Sequence, residues 1–227
     1  MNILVFAPHP DDEVLGCGGT IARHVAEGGS VFVCIVTRGK PPVYNHSKEI
    51  LESTPHDLVE EIEAAHKVLG VKKTFYLQFP AVMLETVPRY ELNNAISGLI
   101  SDLKPDVIYV PHFGDMQKDH TITSEAVMVA ARPKGDHVVR SVYSYEALSE
   151  TEWNIPRSSY AFMPNTFIDV TDFMGKKIEA MGCYKSQLSS FPNPRSIEAM
   201  EALAKYRGST MGAKAAEAFM LIREYRS

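Results

Sequence analysis

Short, continuously apolar segments alternate with amphipathic helical segments through the first half of this 227-residue chain. We predict helices at residues 20–26, 57–69 and 90–103, and strands at residues 3–7, 31–37, 74–77 and 106–110. Strands that are apolar along their whole length are typical of a parallel sheet covered by helices on both faces. The pattern therefore predicts an α/β fold with a Rossmann-like, doubly wound, mostly parallel sheet.

The second half of the chain is less regular. There we predict strands at residues 138–145 and 166–170, and helices at residues 173–188, 196–206 and 213–223. The sequence has no internal repeat, low-complexity tract or linker, so we expect one domain over residues 1–227. Ligands of doubly wound sheets bind at the carboxyl ends of the strands, which indicates the loops at residues 8–16, 38–53, 78–88 and 111–120.

The segment directly after the first predicted strand contains one imidazole and three carboxylates, those of His9, Asp11, Asp12 and Glu13. Adjacent carboxylates repel one another unless a cation compensates them, and imidazole nitrogen with carboxylate oxygen suits Zn²⁺. A carboxylate that does not bind the metal can move a proton. The alternative is an acidic turn whose carboxylates stabilise the N-terminus of the next helix.

A second polar segment, residues 111–120, follows the fourth predicted strand and ends in His120. This histidine can supply a third metal ligand, and Asp119 or Asp115 can accept the N–H of its other ring nitrogen. His112 is a less favoured ligand. The alternative is that His120 lies in the first turn of a helix with no metal.

The string Ala7-Pro8-His9-Pro10-Asp11-Asp12-Glu13, followed by Leu15-Gly16-Cys17-Gly18-Gly19-Thr20, resembles the PIG-L/LmbE-like family of zinc-dependent de-N-acetylases. The resemblance covers most of the chain and is strongest at residues 3–39 and 105–132. It implies one zinc ion per chain, held by His9, Asp12 and His120, with Asp11 as general base. It also implies an N-acetyl amino sugar as substrate and a homo-oligomer, a trimer or hexamer.

The second family motif usually reads H-x-D-H, whereas this chain has Gln117-Lys118-Asp119-His120. A glutamine can donate a hydrogen bond to an oxyanion but cannot carry a proton. Either Asp11 makes both proton transfers, or His112 compensates, or the protein is slow or has changed substrate. With the three zinc ligands intact we favour an active enzyme, whose catalytic residues are Asp11, Gln117 and Asp119.

The resemblance and the loop positions suggest substrate-binding roles for Arg38, Asp115 and Gln187. Further candidates are Glu146, Trp153 and Arg195, for which a surface or packing role is at least as well supported. We expect residues 38–53 and 148–163 to shape the pocket.

The composition excludes several other classes of protein. A net charge of −5 without a basic stripe argues against a nucleic-acid partner. The three cysteines form neither a disulfide framework nor a C-x-x-C metal pattern. No segment approaches the roughly 20 apolar residues of a membrane span, and the apolar N-terminal run is too short for a signal peptide. We therefore expect a cytoplasmic protein without a membrane span.

Zinc-dependent hydrolysis of an N-acetyl group from an amino sugar or a similar small molecule is the favoured function. One alternative is an amidase that cleaves a larger N-acyl or conjugate substrate with the same residues. Another is a weakly active metal-binding relative, because Gln117 replaces the usual histidine. A nucleotide-binding protein is disfavoured because the glycines at residues 16–19 lack the spacing of a phosphate-binding loop and the first loop is acidic.

Overall fold

The computed structural model describes residues 1–38, 55–134 and 137–226. Its strands are β1 (Asn2–Ala7), β2 (Ser30–Thr37), β3 (Lys73–Phe79), β4 (Val107–Pro111), β5 (Ser141–Tyr145), β6 (Thr166–Asp169) and β7 (Ala216–Glu224). Its α-helices are α1 (Asp12–Ala26), α2 (Pro55–Leu69), α3 (Arg89–Leu103), α4 (Lys118–Ala130), α5 (Met174–Cys183) and α6 (Ile197–Ser209). None of the helices within these ranges is long and apolar enough to cross a membrane.

The described strands form one seven-stranded sheet in the order β3-β2-β1-β4-β5-β7-β6. Strands β1 to β5 pair in parallel, whereas β7 pairs antiparallel with both β5 and β6. The predicted Rossmann-like, mostly parallel sheet is therefore confirmed, with an antiparallel edge that the strand-helix pattern did not indicate. The chain runs outward from β1 to β3 on one side and from β4 onward on the other, so the switch point lies between β1 and β4.

The helix predicted at residues 213–223 is wrong, because this segment forms β7. Its alanines, glutamates, methionine and leucine favour a helix by intrinsic propensity. Tertiary pairing outweighs that preference here, since β7 hydrogen-bonds to a strand on each side. The ring of Phe219 is buried and lies 5.1 Å from that of Tyr109, which fixes the inward face of the strand.

The start of one predicted helix and the end of another also differ from the structure. Helix α1 begins at Asp12 instead of residue 20, so the predicted ligand loop at residues 8–16 is reduced to a short turn before the helix. Helix α5 ends at Cys183 instead of residue 188.

Both faces of the sheet carry a buried apolar core. On β1, Ile3 and Val5 pack on the side of α1, α2 and α5, whereas Leu4 and Phe6 pack on the side of α3 and α4. Helices on both faces explain why these strand residues are apolar without alternation. The polar segments are thereby restricted to the strand ends, where the candidate site lies.

Helix α1 packs against the sheet through Gly16, and we predict that this position tolerates no side chain. An alanine Cβ would overlap the buried ring of Tyr145, whose hydroxyl donates to the Phe6 carbonyl at 2.8 Å. Gly16→Ala should lower the free energy of unfolding by about 1–3 kcal/mol, the usual cost of overpacking. Chemical denaturation measures this change.

The matched control is Gly98→Ala in the middle of α3, where an added Cβ meets nothing within 4 Å. This substitution should raise the free energy of unfolding by about 0.5–1 kcal/mol, because alanine loses less backbone entropy in a helix. Equal effects at the two positions would contradict the close packing of α1 on Tyr145.

Candidate metal centre and active site

The two polar motifs meet at the carboxyl ends of β1 and β4. These strands are neighbours in the sheet, with Ile3 opposite Val107 and Val5 opposite Tyr109. His9, Asp11 and Asp12 follow β1, and His120 lies in the first turn of α4 after β4. The pairing brings together segments that are more than 100 residues apart in the chain, at the switch point of the sheet.

His9, Asp12 and His120 form a cluster that could hold a metal ion, with one ligand atom from each within 4.8 Å of the others. Asp12 Oδ2 lies 3.3 Å from His9 Nδ1 and 3.2 Å from His120 Nε2. Asp12 Oδ1 and His120 Nε2 are buried and have no hydrogen-bond partner among the described residues. Two unpartnered buried atoms, in a set of two imidazoles and one carboxylate, fit a divalent cation such as Zn²⁺.

In each of the two histidines, the ring nitrogen that faces away from Asp12 is hydrogen-bonded to another carboxylate. His120 Nδ1 donates to Asp115 Oδ2 at 2.8 Å, and Asp115 Oδ1 accepts from the Thr151 hydroxyl at 2.6 Å. His9 Nε2 donates to Asp119 Oδ2 at 2.9 Å. These bonds leave His9 Nδ1 and His120 Nε2 as the nitrogens that face Asp12. Of the two acceptors predicted for His120, Asp115 has that role and Asp119 instead orients His9.

Asp119 is itself fixed by the segment that follows β3. Its two oxygens accept the backbone N–H groups of Val82 at 2.6 Å and Leu84 at 3.1 Å. Burial raises the pKa of Asp119, but the bonds from His9 and from these amides outweigh it and lower the pKa below its ordinary value. Asp119 is thus an anion that acts as a fixed acceptor for His9.

The charges of the cluster favour a cation. Burial lowers the pKa of His9, but hydrogen bonds to Asp119 and Asp12 outweigh it and raise the pKa from 6.5 to about 9. Burial likewise lowers the pKa of His120, and the charge of Asp12 with the bond to Asp115 raises it well above its ordinary value. Without a metal the imidazoles therefore hold protons near neutral pH, and a metal ion would displace them.

Asp11 lies beside this cluster and outside it. Its side chain is fully buried, with Oδ2 2.8 Å from Arg195 Nη1 and Oδ1 without a hydrogen-bond partner among the described residues. Burial raises the pKa of Asp11 well above its ordinary value, although the charge of Arg195 opposes that shift. One oxygen of Asp11 is therefore anchored and the other is free to exchange a proton.

Arg195 contacts the candidate site from the segment between α5 and α6. Its Nη1 also donates to Gln187 Oε1 at 3.2 Å, and its Nε donates to the Ser149 hydroxyl at 2.8 Å. The sequence indicated Arg195 and Gln187 as possible substrate contacts; in the structure Arg195 binds Asp11, and Gln187 binds Arg195. No sequence signal predicted that contact, which joins residues 184 positions apart.

Glu150 is a site residue that the sequence analysis missed. Its side chain is buried, Oε2 accepts the backbone N–H of Gln117 at 3.3 Å, and Oε1 lies 3.8 Å from Arg195 Nη2. Burial raises its pKa above the ordinary value. Glu150 therefore links Arg195 to the start of α4.

The remaining candidates are distributed around the cluster. Gln117 precedes α4, and its buried Oε1 has no hydrogen-bond partner among the described residues. Arg38 is exposed at the end of β2 and donates from Nε to the Gln78 carbonyl at 2.9 Å. Residues 39–53 of the predicted pocket loop lie outside the described residues.

His112 does not join the metal cluster. Its ring lies 4.8 Å from that of Phe113 and 5.3 Å from that of Phe162, and its Nε2 donates to the Tyr160 carbonyl at 2.9 Å. Glu146 forms an ion pair with Arg207 at 2.6 Å. A packing role for His112 and a structural role for Glu146 follow from these contacts.

A cleft of about 660 Å³ is lined by residues of α4 and of the segments before it and after β5. Asp115, which holds His120, contributes to its wall. The segment predicted to shape the pocket contributes the half-exposed Trp153 together with Arg157 and Tyr160. The cleft therefore combines aromatic and charged side chains with the carboxylate that holds His120.

Known proteins resemble this chain over nearly all of its length. The sequence profile of the PIG-L family, described as GlcNAc-PI de-N-acetylase, matches residues 4–131, more than half of the chain. The uncharacterized deacetylase YaiS of Escherichia coli K12 is 28% identical over 194 residues, which cover 82% of this chain and 91% of YaiS. The diacetylchitobiose deacetylase of Thermococcus kodakarensis is 25% identical over 242 residues, which cover 97% and 83% of the two chains.

A solved structure, that of the conserved protein TT1542 from Thermus thermophilus, superposes with a TM-score of 0.78 at 31% identity. The match covers 99% of this chain and 96% of that one. The matched profile spans β1 to α4, and so includes both motifs of the cluster. The chain therefore belongs to the PIG-L family.

Proposed function

We propose that this protein is a zinc-dependent N-deacetylase of N-acetyl amino sugars, with Asp11 as its general base. The main support is the position of Asp11, whose free Oδ1 is buried beside the His9–Asp12–His120 cluster. The curated relatives YaiS and the Thermococcus kodakarensis enzyme are both named deacetylases, and the second acts on diacetylchitobiose.

The ligands of the zinc ion would be His9, Asp12 and His120, one ion per chain. Three protein ligands leave the open position that distinguishes catalytic from structural zinc sites. When bound, zinc lowers the pKa of water to about 7 and polarises an acyl carbonyl. Asp115 and Asp119 keep the two imidazoles in the orientation that this binding requires.

The proton transfers fall to Asp11. Its free oxygen takes a proton from the water whose oxygen attacks the acyl carbon, while Arg195 holds the other oxygen in place. The bond between acyl carbon and nitrogen then breaks, and Asp11 returns the proton to the departing nitrogen. The products are acetate and a free amine, and Asp11 has returned to the protonation state in which it began.

Gln117 is placed to assist without carrying a proton. Its backbone is fixed through Glu150, and its side chain lies at the start of α4, three residues before His120. An amide N–H can donate to the oxygen on which negative charge develops. This role suits the glutamine that stands where the family motif usually has histidine.

The cleft of about 660 Å³ is the proposed site for the rest of the sugar. Trp153 offers an aromatic face on which a sugar ring can stack. Lys118 and Arg157, in the same cleft, can bind hydroxyl or acidic groups. The identity of the sugar, the homo-oligomeric state and the cytoplasmic location stay predictions.

A substrate panel tests the proposed reaction. Metal-loaded protein would be assayed for acetate release from N-acetylglucosamine, diacetylchitobiose, N-acetylglucosaminyl malate and UDP-N-acetylglucosamine, beside amides with longer acyl groups. We expect acetate from at least one acetyl amino sugar and no faster turnover of the longer amides. Preferential cleavage of a longer or larger amide would favour the amidase alternative.

Gln117→His tests whether the protein is a weakly active relative. We expect kcat to change by less than about tenfold, because Asp11 already carries out both proton transfers. A gain of about 10²-fold or more, the contribution of a positioned general acid, would instead indicate a site impaired by glutamine. Gln117→Met serves as the matched control, since it keeps the length of the side chain but removes the hydrogen-bond donor.

A further inference from the structure

Glu13, the third carboxylate of the first motif, belongs to a buried hydrogen-bond network that is distinct from the metal cluster. The residue is fully buried in the first turn of α1 and is not among the three residues of the metal cluster. Its Oε1 accepts from the Tyr184 hydroxyl at 2.5 Å and from His66 Nε2 at 3.2 Å. Its Oε2 accepts the backbone N–H of Asp11 at 3.2 Å.

The donors of this network come from elements that pack around α1. His66 lies on α2, and its Nδ1 is 2.6 Å from the hydroxyl of Thr74 on β3. Tyr184 directly follows α5 and is fully buried. Burial and the negative charge of Glu13 raise the pKa of Tyr184 well above its ordinary value, so its hydroxyl stays protonated as a donor. The Glu13 carboxylate is therefore fixed from three sides.

Asp11 has a backbone conformation that needs such support. Its φ is 104°, in the left-handed region that residues with a side chain rarely adopt. Conformations of this kind persist only where the surroundings fix them. The Asp11 carbonyl accepts from the backbone N–H groups of Val14 at 3.0 Å and Leu15 at 2.9 Å, and Glu13 holds the N–H on the other side. Both peptide groups of Asp11 are thereby fixed, and with them the direction of its side chain.

We propose that Glu13, held by Tyr184 and His66, is a positioning residue that fixes the backbone of Asp11 and so aims its carboxylate at the candidate metal site. This role rests on the proposed function, in which Asp11 is the general base. It gives a role to the third carboxylate of the motif, which is not part of the metal cluster found among the described residues. A misplacement of a catalytic group by about 1 Å lowers the rate by about 10²-fold.

Glu13→Gln tests this role with little change in shape. We expect kcat to fall by about 10²-fold, with KM and bound metal unchanged, because Asp11 is displaced while the cluster stays intact. In the Asp11→Asn background the same substitution should cause no further loss. A loss of equal size in both backgrounds would show that Glu13 acts independently of Asp11 and would overturn the proposal.

Glu217→Gln is the matched control. Glu217 is another buried carboxylate that accepts backbone N–H groups of α1, from Gly19 at 2.9 Å and Thr20 at 2.7 Å, but it does not contact Asp11. Its loss should lower stability without the fall in kcat. Tyr184→Phe removes one donor from Glu13 and, if Glu13→Gln fails to fold, should lower kcat in the same direction by a smaller factor.

The amide resonance of Asp11 gives a readout that does not depend on activity. An N–H bonded to a carboxylate resonates downfield and exchanges slowly, and Glu13→Gln and Tyr184→Phe should move it upfield and speed its exchange. Glu217→Gln should leave it in place. An Asp11 amide unmoved by the Glu13 and Tyr184 substitutions would overturn the positioning role. A wild-type protein that is inactive on every substrate of the panel would instead refute the proposed function. The resonance of the Asp11 backbone N–H would then decide the role of Glu13 by itself.

Discussion

His120→Ala is expected to abolish stoichiometric metal binding and to lower kcat/KM for acetate release by at least about 10⁴-fold. His120 contributes the nitrogen that faces Asp12 and has no other partner among the described residues. Without it, one imidazole and one carboxylate remain, too few for a catalytic zinc site. Metal analysis after dialysis and the acetate assay measure the two effects.

Two matched substitutions separate loss of the ligand from general damage. Asp115→Asn keeps the ligand but weakens its orientation, and should lower metal affinity by about 10–100-fold. His137→Asn removes a histidine whose Nε2 donates to the Pro105 carbonyl before β4, at the opposite end of the sheet, and should leave metal binding unchanged. A His120→Ala protein that still holds one equivalent of metal would contradict the ligand assignment.

Asp11→Asn is expected to lower kcat by about 10²–10⁴-fold, the usual contribution of a general base, while the metal stays bound. Asparagine keeps the shape of the side chain but cannot accept the proton, and it loses the ion pair with Arg195. Acetate release and metal content, measured on the same preparation, distinguish this result from loss of the metal.

Asp106→Asn is the control for Asp11→Asn. Asp106 precedes β4 at the opposite end of the sheet, where its Oδ2 accepts the Asn2 backbone N–H at 2.8 Å. This substitution should leave kcat unchanged. Full activity in Asp11→Asn would exclude Asp11 as the base and would direct attention to Glu150, the buried carboxyl that also lies near Arg195.

The sequence predicted the core of the candidate site because its residues lie in two short motifs at strand ends. The two motifs were expected to meet because the carboxyl ends of neighbouring parallel strands converge, and β1 does neighbour β4. The family resemblance then selected His9, Asp12 and His120 within those motifs. The helix predicted at residues 57–69 is confirmed as α2, whose regularly spaced Ile62, Ala65 and Leu69 are buried. Local periodicity carries this information, since apolar spacing reports directly on which side of a helix is covered.

Other features depend on contacts that no local pattern encodes. The strand β7 has the composition of a helix, and its pairing with β5 and β6 decides its structure. Arg195 approaches Asp11 only because the segment between α5 and α6 folds over the end of β1. The choice of Asp115 for His120 and of Asp119 for His9 likewise depends on side-chain directions that the spacing in the chain does not specify.

The most direct test of the proposed reaction is a titration of metal-free protein with Zn²⁺. Acetate release from the best substrate of the panel is measured at each step, for the wild-type and the Asp11→Asn protein. We predict that activity rises linearly until one zinc ion is bound per chain, and that Asp11→Asn binds the same equivalent with little acetate released. Full activity without metal, or equal activity in the two proteins at one bound equivalent, would contradict a zinc-dependent reaction in which Asp11 is the base.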